Sequence, residues 1–372
     1  MTGWARHPVA TTVADLTEVC GPTRAALRDG PDDAATFRAA HDSLPALRQI
    51  EVGPPMPVAS GAQGALRIVA WNVERLRHLE ATADVLLRER ADVSLITEID
   101  KGMARTGNGH RTAELSKAIG QPYAYGAEFV ELDLGTVRER TDHAGQMNTL
   151  GFHGNAVLSR LALHRPVMFR LEAEGKWFGW TRGEPRVGGR MAIGGQVLLD
   201  GVAVTVVGLH LESHSDPAHR AGQMARLVDL IAQYDAAAPV VIGGDVNTST
   251  LSWEARLAGK DVDAARRCDV VAHEPLFTVM AANGFDWTAS NVPLAPTQRF
   301  GAAEADRARG KIDWLFTRGL VASSPAVIPA LGPDGEILSD HDAVCVTVAL
   351  PSRMPAGDSA DGSGGRPKGR TA

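Results

Sequence analysis

The sequence is short of cysteine, short of aromatics and without an excess of basic charge, and each shortage narrows what the chain can be. Three cysteines in 372 residues, Cys20, Cys268 and Cys345, are too few and too scattered for a disulfide framework or a thiolate zinc site. No apolar run approaches the roughly 18 residues that a membrane-spanning helix needs, so no transmembrane segment is expected. The stretch from Met1 to Pro8 lacks the apolar core of a secretory signal, and a reducing, cytoplasmic compartment is the expectation. Lys plus Arg number 38 against 44 Asp plus Glu, a net charge of −6. A protein that wraps a polyanion with its whole surface is basic, so nucleic acid is allowed as a partner but not favoured. Aromatics make up 5% of the chain. Three of them crowd into Trp177-Phe178-Gly179-Trp180, a loop that either stacks on a base, enters lipid or folds back on the core.

What is present is a full globular complement, 44% hydrophobic and 22% charged. Residues 1–64 read as an N-terminal helical appendage and linker. Val13, Leu16, Val19 and Leu27 recur with roughly helical period over 11–28, interrupted by Pro22. Asp32 or Asp33 can cap a second helix through Phe37 and Ala40 that stops at Pro45. Glycine and proline over 53–57 and 60–64 then suggest a linker. The appendage is expected on an outer face of the main body, far from its functional end. Residues 65–350 form that body. Strands are expected at 66–71, 93–96, 156–159, 191–199, 202–209, 239–242, 312–316 and 343–350, with amphipathic helices at 79–90 and 218–234. A hairpin at Asp200-Gly201 mixes with helical crossovers, which favours a layered α/β fold over a purely parallel sheet. Residues 351–372, rich in Ser, Gly and Pro without apolar period, read as a disordered tail.

Polar side chains that can bind metal recur where apolar strands end. Asn72 and Glu74 follow the first strand, Glu98 the second, and His210 the strand at 202–209. Asp245 and Asn247 follow 239–242. They lie two apart, so in extended chain both address one side, with Gly243 and Gly244 allowing close backbone approach. Asp313 sits in the strand at 312–316, and Ser339-Asp340-His341-Asp342 precede the last strand. Each alone is ordinary: an Asp-x-Asn is a turn or cap, and a glutamate after a strand is usually solvated. The carboxylates flanking His341 favour its charged form.

In this order Trp71-Asn72, Glu98, Gly154-Asn155-Ala-Val-Leu-Ser-Arg160, Leu209-His210-Leu211, Gly244-Asp245-Val-Asn247, Lys311-Ile-Asp313 and Ser339-Asp340-His341 resemble the endonuclease/exonuclease/phosphatase superfamily of metal-dependent phosphoesterases. The likeness is to the deoxyribonuclease/sphingomyelinase-like branch and spans roughly residues 65–350. It implies a four-layer α/β/β/α sandwich of two packed mixed β-sheets, with the site where strand-end loops converge. It also implies a catalytic domain that needs Mg2+ or Mn2+, with Glu98 as principal metal ligand, assisted by Asn72 and Asp340. Asp245 and Asn247 would position the attacking water and a phosphate oxygen. His341, oriented by Asp313, would be general base or phosphate-stabilising cation, and His210 would bond the scissile phosphate or assist the leaving group. Asn155 and Arg190 would contact substrate, or else be a turn residue and a salt bridge. Glu74 stands where DNA-repair members often carry aspartate, and Lys311 where an arginine is common. The expected activity is hydrolysis of a small-molecule or lipid-headgroup phosphate ester by activated water. A DNase-like or abasic-site endonuclease is the alternative, and a non-catalytic binding module on the same scaffold is less favoured. The segments 102–148 and 172–190 and the oligomeric state are not legible.

Overall fold

The computed structural model describes residues 7–172, 174–248, 270–301 and 309–351, so the tail expected over 351–372 lies outside the described residues apart from Pro351. In chain order the strands are β1 (Thr12–Val13), β2 (Ile50–Val52), β3 (Leu66–Arg75), β4 (Val93–Lys101), β5 (Tyr123–Glu131), β6 (Phe152–Ser159) and β7 (His164–Arg170). They continue with β8 (Arg186–Gly188), β9 (Met191–Leu199), β10 (Val202–His210), β11 (Val240–Asp245), β12 (Asp313–Arg318), β13 (Val321–Ile328) and β14 (Ala343–Ala349). The helices used below are α1 (Gly21–Asp29), α2 (Ala34–Ser43), α3 (Leu79–Glu89), α4 (Arg111–Ile119), α5 (Val137–Asp142) and α6 (Pro217–Asp235).

One sheet runs β1-β2-β5-β6-β4-β3-β14-β13 with β8 added on β5, and the second runs β12-β11-β10-β9-β7. Both are mixed: β3–β4 and β10–β11 are parallel, while β3–β14 and β9–β10 are antiparallel. The two-residue period of the strands sets the layers. Along β3, Ile68 and Ala70 point into the space between the sheets, where they meet Ile193, Val204, Val206, Val241 and Leu315. Their neighbours Val69, Trp71 and Val73 point outward and join Val85 and Leu86 of α3. On the second sheet Val207, Leu209 and Ile242 point outward under Met224, Leu227 and Ile231 of α6. Helix, sheet, sheet, helix is therefore the order of layers, each apolar face covered by the next. At Gly243 the sheets approach closely, since a Cβ there would lie 3.0 Å from the Ala70 Cβ and 3.3 Å from a Leu95 methyl of the facing sheet. No helix among the described residues is long and apolar enough to cross a membrane.

The N-terminal residues differ from the sequence reading. A helix over 11–28 was expected; Thr12 and Val13 instead pair with Ile50 and Glu51, and α1 begins only at Gly21. Pro22 lies in the first turn, where its missing N–H costs no hydrogen bond, so it starts the helix rather than interrupting one. The second helix is capped as expected, Asp33 accepting from the backbone of Ala35 and Thr36. β2 pairs with β5, so residues of the first 64 extend the larger sheet. They also hold loops at the functional end. Buried Arg24 donates to the carbonyls of Asn148 at 2.6 Å and Leu150 at 2.7 Å. Phe37 stacks 5.7 Å from Phe178. Fully buried Glu51 takes Lys101 of β4, His110 and the Tyr123 hydroxyl.

A chain truncated to begin at Ala65 should therefore melt well below the full-length protein. Losing Phe37, Leu44, Leu47 and Ile50 from the core costs about 1.5–3 kcal/mol each, which for a domain of this size is a fall of more than about 10 °C. Calorimetry of the two chains checks this, and equal melting temperatures would show the segment to be energetically detached.

Candidate active site

Strand register brings the polar residues together. On the second sheet His210 pairs across to Asp245, and Asp245 pairs across to Asp313, so three neighbouring strands present their chemistry side by side. Gly244, at φ +144°, makes this possible: a Cβ there would fall 2.1 Å from the Leu209 carbonyl oxygen. On the first sheet Asn72 of β3 lies beside Thr97 of β4. The next residue, Glu98, sits in an irregularity of the β4–β6 ladder between Ile96 and Ile99, at φ 56°. Asn247 has φ 52°. Left-handed backbone at two non-glycine residues of one cluster is the kind of strain that functional sites retain.

The side chains converge on Asp245. Its Oδ2 accepts from Asn72 Nδ2 at 3.1 Å and lies 3.4 Å from His210 Nε2 and 3.7 Å from His341 Nε2. Its Oδ1 accepts the Asn247 backbone N–H at 2.9 Å. Asn72 Nδ2 also donates to Glu98 Oε1 at 3.1 Å. Ligand-capable atoms of Glu98, His210 and Asp245 lie within 4.8 Å of one another, as do those of Asp245, Asp313 and His341. His341 Nδ1 is 2.9 Å from Asp313 Oδ2. The Ser339 hydroxyl donates to the Asn72 carbonyl at 2.6 Å and accepts the His341 N–H, tying the last loop to β3.

Among the displaced titrations, four lie at the centre of the site. Burial alone would discharge the His341 ring, but Asp313, Asp245 and Asp340 outweigh it and hold its pKa well above the usual histidine value. His210 is raised too, Glu128 and Asp245 overcoming burial and Arg190. Burial pushes Asp245 above the ordinary carboxylate range against the pull of both histidines. Glu98 goes the other way: burial would raise it, but Arg75, His210 and His153 hold it well below.

Three expected positions stand differently from the rest. Asp340 is mostly exposed, 3.9 Å from His341 Nε2, and lies outside both groups of converging ligand atoms. Asn155 is fully buried, its Oδ1 accepting the Glu98 backbone N–H at 3.3 Å and its amide facing Met191. Arg190 is 3% exposed and donates to Glu128 and Glu212, while its guanidinium lies against the His210 ring, 2.9 Å from Nδ1 and 3.0 Å from Nε2. The Trp177 ring folds inward, its N–H on Glu212 at 2.8 Å, and Phe178 joins the core around α2.

Other residues of the site escaped the sequence reading. Glu128, fully buried on β5, stands 3.3 Å from His210 Nδ1 and bonds Arg190, so His210 is oriented by a carboxylate as His341 is. Arg75 lies 3.7 Å from Glu98 and 2.7 Å from Glu139. The signal for Glu128 was present, a charge inside the apolar stretch Ala127-Glu128-Phe129-Val130, which a buried strand tolerates only against a partner.

The sequence pattern of the Endonuclease/Exonuclease/phosphatase family matches residues 69–341. The chain is similar in structure to an endonuclease/exonuclease/phosphatase from Beutenbergia cavernae, at 20% identity and TM-score 0.53 over 77% of this chain and 72% of that one. It is also similar to an endonuclease/exonuclease/phosphatase from Bacteroides vulgatus, at 14% identity and TM-score 0.51 over 77% and 99%. A functionally unknown conserved protein from Enterococcus faecalis gives 15% and 0.52 over 77% and 100%. At such identities the likeness is one of fold. No curated protein matches the chain in sequence.

Proposed function

The chain belongs to the Endonuclease/Exonuclease/phosphatase family, whose members generally hydrolyse phosphate esters, and from that premise we propose that it is a divalent-metal-dependent phosphoesterase using water as nucleophile. The observation that carries this reading is the convergence of Glu98, Asn72, His210 and His341 on Asp245. Oxygen donors dominate the set. Cys20 is exposed and Cys345 buried, and neither belongs to either group of converging ligand atoms. Such donors suit Mg2+ or Mn2+ better than a soft metal. Glu98, which stays charged, would hold the ion with Asp340 at its edge, and Asn72 would join it by turning its Oδ1, now on the Glu74 N–H, toward Glu98. Bound there, the ion supplies charge neutralisation at the phosphate.

The chain's own groups do the rest. Asp245 and Asn247 orient the water in line with the ester bond. His341, kept cationic by Asp313, faces the spreading negative charge of the transition state. His210, raised and oriented by Glu128, is a proton donor for the leaving oxygen. Arg190 locks that ring, and Asn155 fixes the backbone of Glu98; both act through the groups they hold. The acidic total, −6, supports a small phosphate ester over duplex DNA as substrate, and a cytoplasmic setting is part of the same proposal.

A panel of phosphate mono- and diesters assayed with Mg2+, Mn2+ and chelator tests the reading. Hydrolysis of at least one small ester that vanishes with chelator is expected. Full turnover in chelator would refute the metal mechanism, and nicking of supercoiled plasmid with no small ester hydrolysed would make the chain a nuclease.

A further inference from the structure

Beside the site, on the Glu98 flank, lies a pocket of about 490 Å³ with no apolar side chain in its wall. Arg75, Arg77, Arg105 and Arg138 line it together with Glu74, Glu139 and Asp142. Its inner wall is continuous with the site, because Arg75 lies 3.7 Å from Glu98 and the Glu74 carboxylate accepts the Asp340 backbone N–H at 3.3 Å.

Two arginines are already spent. Arg105, with 1% of its side chain exposed, is held by Asp100, Glu139 and Glu184. Arg75 is drawn to Glu139 at 2.7 Å. The other two can be reached from solvent. Arg77 is 41% exposed and pairs with Glu74 at 2.7 Å and Glu139 at 3.2 Å, contacts that a ligand there has to share or displace. Arg138 is 90% exposed, with only a 3.4 Å contact to Asp142 one turn away, a pairing that water screens. An arriving phosphate, with more acceptor oxygens and charge than either carboxylate, displaces such contacts and takes the two guanidinium forks.

The backbone here is costly to hold. Glu74, Arg75 and Leu76 are consecutive left-handed residues, at φ 42°, 71° and 54°, a conformation glycine takes freely and arginine does not. The Arg75 side chain carried by this backbone forms the wall between pocket and site. The polar wall, which Thr136 and His143 complete, disfavours an acyl chain.

Building on the phosphoesterase reading, we propose that this pocket takes a second phosphate group of the substrate, so that the preferred substrate is a small, hydrophilic ester carrying two phosphates, one hydrolysed and one held by Arg77 and Arg138.

Non-hydrolysable probes separate this from the parent reading. The full-length chain with Mg2+ is titrated calorimetrically with alkane-α,ω-bisphosphonates of two to six carbons and with the matching monophosphonates. At least one bisphosphonate should bind about tenfold or more tighter than its monophosphonate, from two added charge-assisted contacts. In an Arg77→Gln, Arg138→Gln double variant with unchanged melting temperature that preference should collapse. Equal binding of the two series by the wild type, or a preference that survives in the variant, overturns the proposal. No turnover enters the measurement. A chain that keeps the preference but hydrolyses no phosphate ester refutes the reaction and leaves the second phosphate site standing.

Discussion

Asp245→Ala should lower kcat at least about a hundredfold, a loss of about 3 kcal/mol of transition-state stabilisation, and His341→Ala should do the same. Asp245 is the residue through which the two sheets share a site: it meets Asn72 from one, His210 from its own, and His341 from the loop before β14. Removing it leaves the water without its acceptor and both histidines without a common anion. Removing His341 deletes the cation that Asp313 maintains. Because the two act as a unit, the double variant should be little worse than the poorer single one. The Asp245→Ala melting temperature should change little, since burial holds that carboxylate above its usual pKa and its loss removes a desolvated charge; His341→Ala should melt lower, because it leaves Asp313 and Asp245 without their cation. Steady-state kinetics on the best ester of the panel check this. If both variants turn over near the wild-type rate, the site is elsewhere.

Arg105→Met should produce a large loss of stability for a single substitution. The guanidinium is 1% exposed, bonds both oxygens of Asp100 at 2.9 Å, and reaches Glu184 at 3.1 Å and Glu139 at 3.2 Å. Asp100 lies two residues beyond Glu98 on β4, so this network anchors the strand end that carries the proposed metal ligand. Taking away one partner of a buried ionic cluster costs about 3–5 kcal/mol, because the remaining charges stay desolvated. For a domain of this size that is a fall of roughly 6–20 °C.

The pH dependence has a definite sign. In the wild type burial would raise the Asp100 carboxyl, but Arg105 and His153 overcome it and hold it well below the ordinary range. Its stabilisation is present above an unfolded pKa of about 4 and is lost as pH falls below that value. In the variant the orphaned carboxylates rise above their unfolded pKa values and bind protons when folded. The variant's deficit should therefore be larger at pH 8 than at pH 5. Melting curves at the two pH values decide it, and an equal deficit would show that the carboxylates do not titrate with the loss of their partner.

Much of this protein was readable from local pattern. The strand cores at 66–71, 191–199 and 202–209 follow from apolar side chains at period two or in short runs, and a cap at Asp32 or Asp33, with Phe37, Ala40 and the stop at Pro45, announced the helix that Asp33 caps. The residues at the site's centre were readable as well, because chemistry-bearing side chains at strand ends keep their order whatever the tertiary arrangement. β5 was less legible. Its nine residues are all buried and include Glu128 and Glu131, so no alternation marks them and the charges look like interruptions. The helical period of Val13, Leu16, Val19 and Leu27 misled for the opposite reason: a local period was present, but Thr12 and Val13 found a better partner in Ile50 and Glu51.

The sequence by itself determined eight of the strand cores and the order in which polar residues cap them, and its family resemblance carried the expectation of four layers. Tertiary structure alone decided that Glu128 orients His210, that Arg75 walls a pocket beside Glu98, and that the first 64 residues brace the loops of the functional end. Period, caps and turns are set by neighbours within a few residues, whereas a buried charge takes its meaning from a partner supplied by a distant strand. Arg190 lies 62 residues from Glu128, and only folding brings the two to 3.2 Å.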